Sequence, residues 1–197
     1  MTKKEIIWRY ILQKTFEKRG SRFTQKNIAR EFGFSTSTVF NALKAPRGIH
    51  AIDVNGRFFT VRDYEKLLML WATHRRLEND IIYSTFVNAP VREIEGNMPP
   101  NVLYGAWSGY RLRYDDAPAD YDSVYIYCDT AESIKKRFSS STSNKNARKN
   151  LFVLRADPWL ASFGSITPDS QIFVDLWNLP EWYAKDFLIA LKQRLNI

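Results

Sequence analysis

Residues 32–44 read FGFSTSTVFNALK, and this stretch decides how the first third of the chain is read. Ser35, Thr36, Ser37 and Thr38 are mediocre helix formers and Val39 is β-branched, so a helix chosen for stability alone would carry Ala, Glu and Lys here. The flanks nevertheless predict a helix. Ser35 or Thr36 is a good N-cap, and the run is expected to end near Ala45, closed by Pro46, Arg47 and Gly48. At 100° per residue, Ser37, Thr38, Asn41 and Lys44 fall within an arc of about 120°. Val39, Phe40 and Leu43 are assigned to the opposite, core-facing side. The outward face therefore carries short hydroxyls, an amide and a terminal lysine.

Working outward toward the N-terminus, Thr24 is a good cap for a helix over 25–32 that stops at Gly33. Before it, Ile7, Tyr10 and Ile11 recur at helical spacing over residues 3–18, and the RGS at 19–21 ends that run. Helix, short turn with Gly, helix is the helix-turn-helix arrangement. Toward the C-terminus, residues 49–54 alternate, Asn55-Gly56 makes a turn, and residues 57–61 form a second strand, a strong hairpin pattern. A helix-turn-helix followed at once by a basic hairpin is the winged-helix plan. A further helix begins near Asp63, with Tyr64, Leu67, Leu68 and Trp71 on one face. The winged helix is expected over residues 1–76, with the junction at 75–80.

Charge follows the same division. Residues 1–76 hold sixteen Lys and Arg against six acids, a net of +10; the rest holds thirteen against fifteen, a net of −2. The formal +8 of the chain thus sits wholly in its first third, the pattern of a nucleic-acid-binding module joined to a different kind of domain. In the major groove Asn pairs with adenine edges, Ser and Thr approach bases or phosphates, and Lys reaches guanine or phosphate. The candidate base-reading set is Ser37, Thr38, Asn41 and Lys44. Lys26, Arg30, Lys44, Arg47 and Arg57 are assigned to phosphates, and Gln25 and Ser35, at the starts of their helices, complete the DNA-binding set. The hairpin would rest on the phosphate backbone or in the adjacent minor groove. The alternatives are a three-helix bundle with a hairpin used for protein contact, and a basic solvated face without a partner.

The second part, 80–197, alternates element types and is expected to be a mixed α/β domain. Strands are expected at IIYSTFV (81–87), SVYIYC (123–128), LFVLRA (151–156) and QIFVDLW (171–177). Helices are expected at TAESIKKRF (130–138), capped by Thr130, in the turn DPWLASFG (157–164), and in PEWYAKDFLIALKQRL (180–195), where Tyr183, Phe187, Leu188, Leu191 and Leu195 share a face. APVREIEGNMPP (89–100) reads as a proline-bounded connector. NVLYGAWSGYRLRY (101–114) is ambiguous, its small residues suggesting a helix packed closely on a sheet. The loop SSSTSNKNARKN (139–150) reads as solvated, with Lys145, Arg148 and Lys149 as alternative contacts to DNA or an acidic partner. Trp107, Trp177 and Trp182 are read as core, and exposure of any of them would indicate an interface.

A basic winged helix followed by VLYGAWSGYRLRY, SVYIYCD, NLFVLRADPWL and QIFVDLWNLPEWYAKDFLIAL resembles the AbiEi-type transcriptional regulators, the antitoxins of type IV abortive-infection toxin–antitoxin systems. The similarity spans most of the chain. It implies a winged helix that represses its own operon, a C-terminal domain responsible for antitoxin activity, and a nucleotidyltransferase-like toxin as partner. DNA contacts carry over to Ser37, Thr38, Asn41, Lys44 and Arg57. A stand-alone repressor with a ligand- or protein-sensing C-terminal domain is the alternative.

An enzyme is the third class. The two histidines, His50 and His74, lie in the basic module, and with the single Cys128 they make no metal-ligand pattern. A nuclease or nucleotidyltransferase needs clustered carboxylates for metals. Asp115, Asp116, Asp120 and Asp122 sit in a turn, Asp129 ends a strand, and Asp175 reads as a structural hydrogen-bonding group. No catalytic residue, metal or cofactor is expected. One cysteine allows no internal disulfide and points to a reducing, cytoplasmic setting. No apolar run approaches the ~20 residues that span a membrane.

Overall fold

The computed structural model describes residues 1–139 and 147–197. The expectation for Lys145 lies outside the described residues. The chain divides into two units, Met1–Arg75 with Leu195–Ile197, and Arg76–Arg194.

In the first unit α1 (Lys3–Glu17) starts with a capping box in which Thr2 Oγ1 accepts from the Glu5 N–H and the Glu5 carboxylate accepts from the Thr2 N–H at 2.9 Å. α2 (Gln25–Phe32) is capped by Thr24, which accepts from the Asn27 N–H at 3.1 Å, and is closed by Gly33 at φ 62°, a left-handed conformation that suits glycine. α3 (Thr36–Gly48) is capped by Ser35, whose Oγ accepts from the Thr38 N–H at 3.1 Å. The expected stop at Ala45 is overridden, because Pro46 sits inside the helix. Proline supplies no N–H to the carbonyl four residues back. That carbonyl belongs to Ala42, and the indole Nε1 of Trp8 on α1 donates to it at 2.8 Å.

The antiparallel pair β1 (Ile52–Asn55) and β2 (Phe58–Val61) follows. Its turn is shifted by one residue from the sequence expectation: Asn55 pairs with Phe58, so Gly56 and Arg57 form the loop and Arg57 stands at the tip. Gly56, the first loop residue, takes the positive φ of 52° that this place in a two-residue hairpin favours. Phe23 joins β2 from its other edge. It exchanges two backbone hydrogen bonds of 2.8 Å with Phe59, and the two rings stack 5.4 Å apart. α4 (Tyr64–His74) is capped by Asp63, and its Leu67, Leu68 and Trp71 are buried. They meet a core that holds Ile7, Trp8, Ile11 and Leu12 of α1 and Val39 and Leu43 of α3, each such side chain contributing about 1.5–3 kcal/mol.

The second unit is mixed α/β. Its elements are β3 (Ile81–Thr85), α5 (Val91–Gly96), β4 (Leu103–Gly105), α6 (Ala106–Tyr114), β5 (Val124–Cys128), α7 (Glu132–Phe138), β6 (Leu151–Arg155), α8 (Asp169–Trp177) and α9 (Ala184–Leu195). The four strands are ordered β3-β6-β5-β4, with β5 and β6 parallel and the outer pairs antiparallel. Val124, Ile126 and Cys128 pack in one layer with Ile94, Ile134 and Phe138. Tyr127 points the other way, and its hydroxyl donates to Asp175 of α8 at 2.6 Å.

Three expectations are corrected here. QIFVDLW is a helix, not a strand: α8 begins at Asp169 after Pro168, and Ser170 through Leu176 are all buried. Buried on all sides, it lacks the one-sided apolar stripe that marks a helix in sequence. The connector at 89–100 contains α5. α7 is not capped by the Thr130 side chain; Ala131 precedes it, and the Thr130 carbonyl accepts from the Cys128 thiol at 3.0 Å. The ambiguous 101–114 resolves into β4 and α6, and Gly109 of α6 lies so close to the sheet that a Cβ there would sit 2.9 Å from the Tyr104 carbonyl oxygen.

Candidate nucleic-acid interface

The polar run at the start of α3 is first a local hydrogen-bonding device. Ser35 Oγ lies 2.9 Å from both Ser37 Oγ and Thr38 Oγ1 while accepting from the Thr38 N–H. Short hydroxyls are weak helix formers in a helix interior because they bond to nearby backbone, and at an N-cap the same tendency stabilises the first turn. The helix thus begins at an exposed, hydroxyl-lined end where the backbone N–H groups and the positive end of the dipole point outward.

Beyond this cap, Val39, Ala42, Leu43 and Pro46 are buried, while Ser37, Phe40, Asn41, Lys44 and Arg47 are exposed and Thr38 is half-buried. Phe40 is therefore not on the core side. At 100° per residue it lies only about 40° from Lys44, and Ala42 takes the buried place assigned to it. The Phe40 ring is 42% exposed, with Lys44 Nζ 5.4 Å from its centroid.

Gln25, at the start of α2, Arg47, near the end of α3, and Arg57, at the hairpin tip, line one shallow cleft with Val54 and Phe58. Lys26 and Arg30 are exposed on α2. Among the described residues, no carboxylate lies within 4.0 Å of Lys26, Arg30, Lys44, Arg47 or Arg57, whereas Lys14, Arg62 and Lys66 pair with Glu17, Asp53 and Asp63. Five cations of this unit thus stand on α2, α3 and the hairpin tip without internal neutralisation.

The second unit holds most of its charged groups in internal contacts. Asp175 is buried under Tyr127, and Asp122 accepts from the Tyr183 hydroxyl at 2.9 Å and pairs with Arg148 at 3.3 Å. Arg148 also pairs with Glu181 at 2.9 Å, and Lys149 donates to Ser84 at 3.0 Å. Sequence reasoning passed over Glu95, a buried carboxylate that accepts from the Tyr121 hydroxyl at 2.6 Å and from Arg111 at 2.7 Å. Burial and this carboxylate push the Tyr121 hydroxyl well above its usual range. The only sequence signal for Glu95 was its place on the inward face of a helix read as a connector. Trp107 is buried, but Trp177 is 44% and Trp182 82% exposed, against the expectation of core.

Asp129, Asp157 and Cys128 line a cleft of about 430 Å³ at the ends of β5 and β6. Burial, followed by the nearby Asp129 charge, pushes the Cys128 thiol up to about 11. Among the described residues, no group of three or more His, Cys, Asp or Glu side chains is placed to hold a metal ion, and no helix is long and apolar enough to cross a membrane. Set beside known proteins, the chain matches no family model, no curated protein and no solved structure.

Proposed function

We propose that the first unit is a winged helix-turn-helix that binds double-stranded DNA, and that the protein is a non-enzymatic transcriptional regulator. α3 enters the major groove, with Ser37, Asn41 and Lys44 toward base edges and the capped N-terminal turn toward a phosphate. Arg57 at the hairpin tip, with Lys26, Arg30 and Arg47, contacts the phosphate backbone. The observation that carries this reading is the placement of five cations that have no carboxylate partner, out of ten such in this unit with Lys3, Lys4, Lys18, Arg19 and Arg22, on α2, α3 and the hairpin beside an exposed α3.

The resemblance to AbiEi-type regulators extends the proposal. The protein represses its own operon and acts as an antitoxin through the second unit, with a nucleotidyltransferase-like toxin as partner. The second reading is a stand-alone repressor whose second unit senses a small molecule. It is favoured by the cleft at the ends of β5 and β6, whose volume of about 430 Å³ falls within the usual range for ligand pockets.

The test is a salt-dependent titration of the full chain on the duplex upstream of its own gene and on a scrambled duplex. With five phosphates neutralised, log Kobs falls against log salt with a slope of about −4 to −5 on both, and the upstream duplex binds more tightly. Salt-independent or absent binding to both would refute the reading. Co-expression with a nucleotidyltransferase-like protein from an adjacent gene separates the antitoxin from the stand-alone repressor by whether growth is restored.

A further inference from the structure

We infer that Phe40 is a specificity residue that reads the C5-methyl group of thymine, so that the preferred duplex carries thymine beneath the middle of α3. The inference rests on the DNA-binding reading of α3 and adds to it the base and the atom recognised. Phe40 stands outside the core with 42% of its surface exposed, although Ala42 and Leu43 beside it in sequence are buried. It lies on the outward face toward the Arg47 side, about 40° from Lys44 and about 60° from Ser37, one turn after Thr36 and Ser37 and one turn before Lys44. Covering an exposed phenyl ring with an apolar group of a partner is favourable, because both surfaces leave water.

The surroundings decide what covers it. Lys44 Nζ lies 5.4 Å from the ring centroid, and neither Lys44 nor Arg47 has a carboxylate partner among the described residues. A protein surface docking here would have to neutralise those cations and also present an apolar group. Duplex DNA offers both at once: phosphates along the groove walls and, on its floor, the thymine C5-methyl, the single apolar group that distinguishes one base pair from the others. On the N-terminal side the short side chains of Ser35, Ser37 and Thr38, whose hydroxyls bond to one another, leave the ring projecting past them.

The experiment begins by selecting the preferred duplex from a randomised library with the full chain. Binding to that duplex is then compared with binding to the same duplex carrying deoxyuridine in place of every thymine, which removes only the methyl groups. For the parent we expect the substitution to weaken binding about fourfold per contacted thymine, the equivalent of one buried methyl group. Phe40→Ala, with its folding checked by circular dichroism and thermal melting, should bind the two duplexes equally. Phe40→Leu should keep part of the preference. Equal parent binding to the thymine and deoxyuridine duplexes overturns the inference while leaving the DNA-binding reading intact. A preference that survives in Phe40→Ala assigns the methyl contact to another residue, and also overturns it. Self-association of the parent that is lost in Phe40→Ala, with the thymine preference unchanged, identifies a second copy as what covers the ring and overturns it too. Failure to enrich any duplex defeats the DNA-binding reading, and the inference with it.

Discussion

The indole Nε1 of Trp8 donates to the carbonyl oxygen of Ala42 at 2.8 Å, and Ala42 lies four residues before Pro46. A proline inside a helix leaves that one carbonyl without its backbone donor. Trp8 therefore supplies from α1 the hydrogen bond that α3 cannot make for itself, and it lets α3 run past Pro46 to Gly48. Trp8→Phe should destabilise the protein by about 1–3 kcal/mol, the cost of a buried unpaired carbonyl. In a Pro46→Ala background the restored N–H can take the Ala42 carbonyl, and the cost of Trp8→Phe should fall by about 1 kcal/mol. A double-mutant cycle by urea unfolding measures this coupling. Equal costs in the two backgrounds would show that the bond does not compensate for the proline.

Gly109 and Gly48 are both helical, yet alanine should act in opposite directions at the two positions. At Gly109 the new Cβ would lie 2.9 Å from the Tyr104 backbone oxygen and 3.3 Å from the Ile172 side chain. A backbone oxygen cannot swing aside, so overpacking of about 1–3 kcal/mol should exceed the ~1 kcal/mol helix-propensity gain. At Gly48 nothing lies within 4 Å, and the propensity gain should appear as a small stabilisation. Thermal denaturation of the two single variants checks both signs.

Asn41→Ala and Arg57→Ala should separate base reading from phosphate contact. The first should relax sequence preference at a cost of about 1–3 kcal/mol on the preferred duplex and little on a scrambled one. The second should weaken all duplexes alike and make the salt slope shallower by about one. Competition titrations at several salt concentrations report both quantities, and an Asn41→Ala variant with unchanged preference would remove α3 from the role of reader.

Cys128 should be slow to alkylate near neutral pH. Burial disfavours the charged thiolate, so the thiol, pushed up to about 11, loses reactivity as pH falls below that value. At pH 8 its thiolate fraction should be about a hundredfold below that of a thiol titrating near 9. Mass-spectrometric rates with iodoacetamide between pH 7 and pH 10 should rise about tenfold per pH unit with no plateau. A plateau below pH 9 would mean that the thiol is not shielded.

What could be read from residue order was whatever local chemistry encodes. The caps read at Thr24 and Ser35 are each one side chain bonded to a backbone N–H three residues on, and both form, while the cap read at Thr130 does not. The division of charge and the outward placement of Ser37, Asn41 and Lys44 follow from counting and from a period of 3.6. Phe40 was misplaced because an aromatic residue was assigned to the core by type, when its angular position sets it beside Lys44.

Tertiary contacts decided the rest. α3 continued through a proline because Trp8 stood ready on another helix. The run at 171–177 became a helix because Ser170 through Leu176 are all buried, and full burial erases the periodicity by which a helix is recognised. Caps and charge act over three or four residues and are written in order along the chain. Helix continuation and two-sided burial depend on groups that only folding brings together.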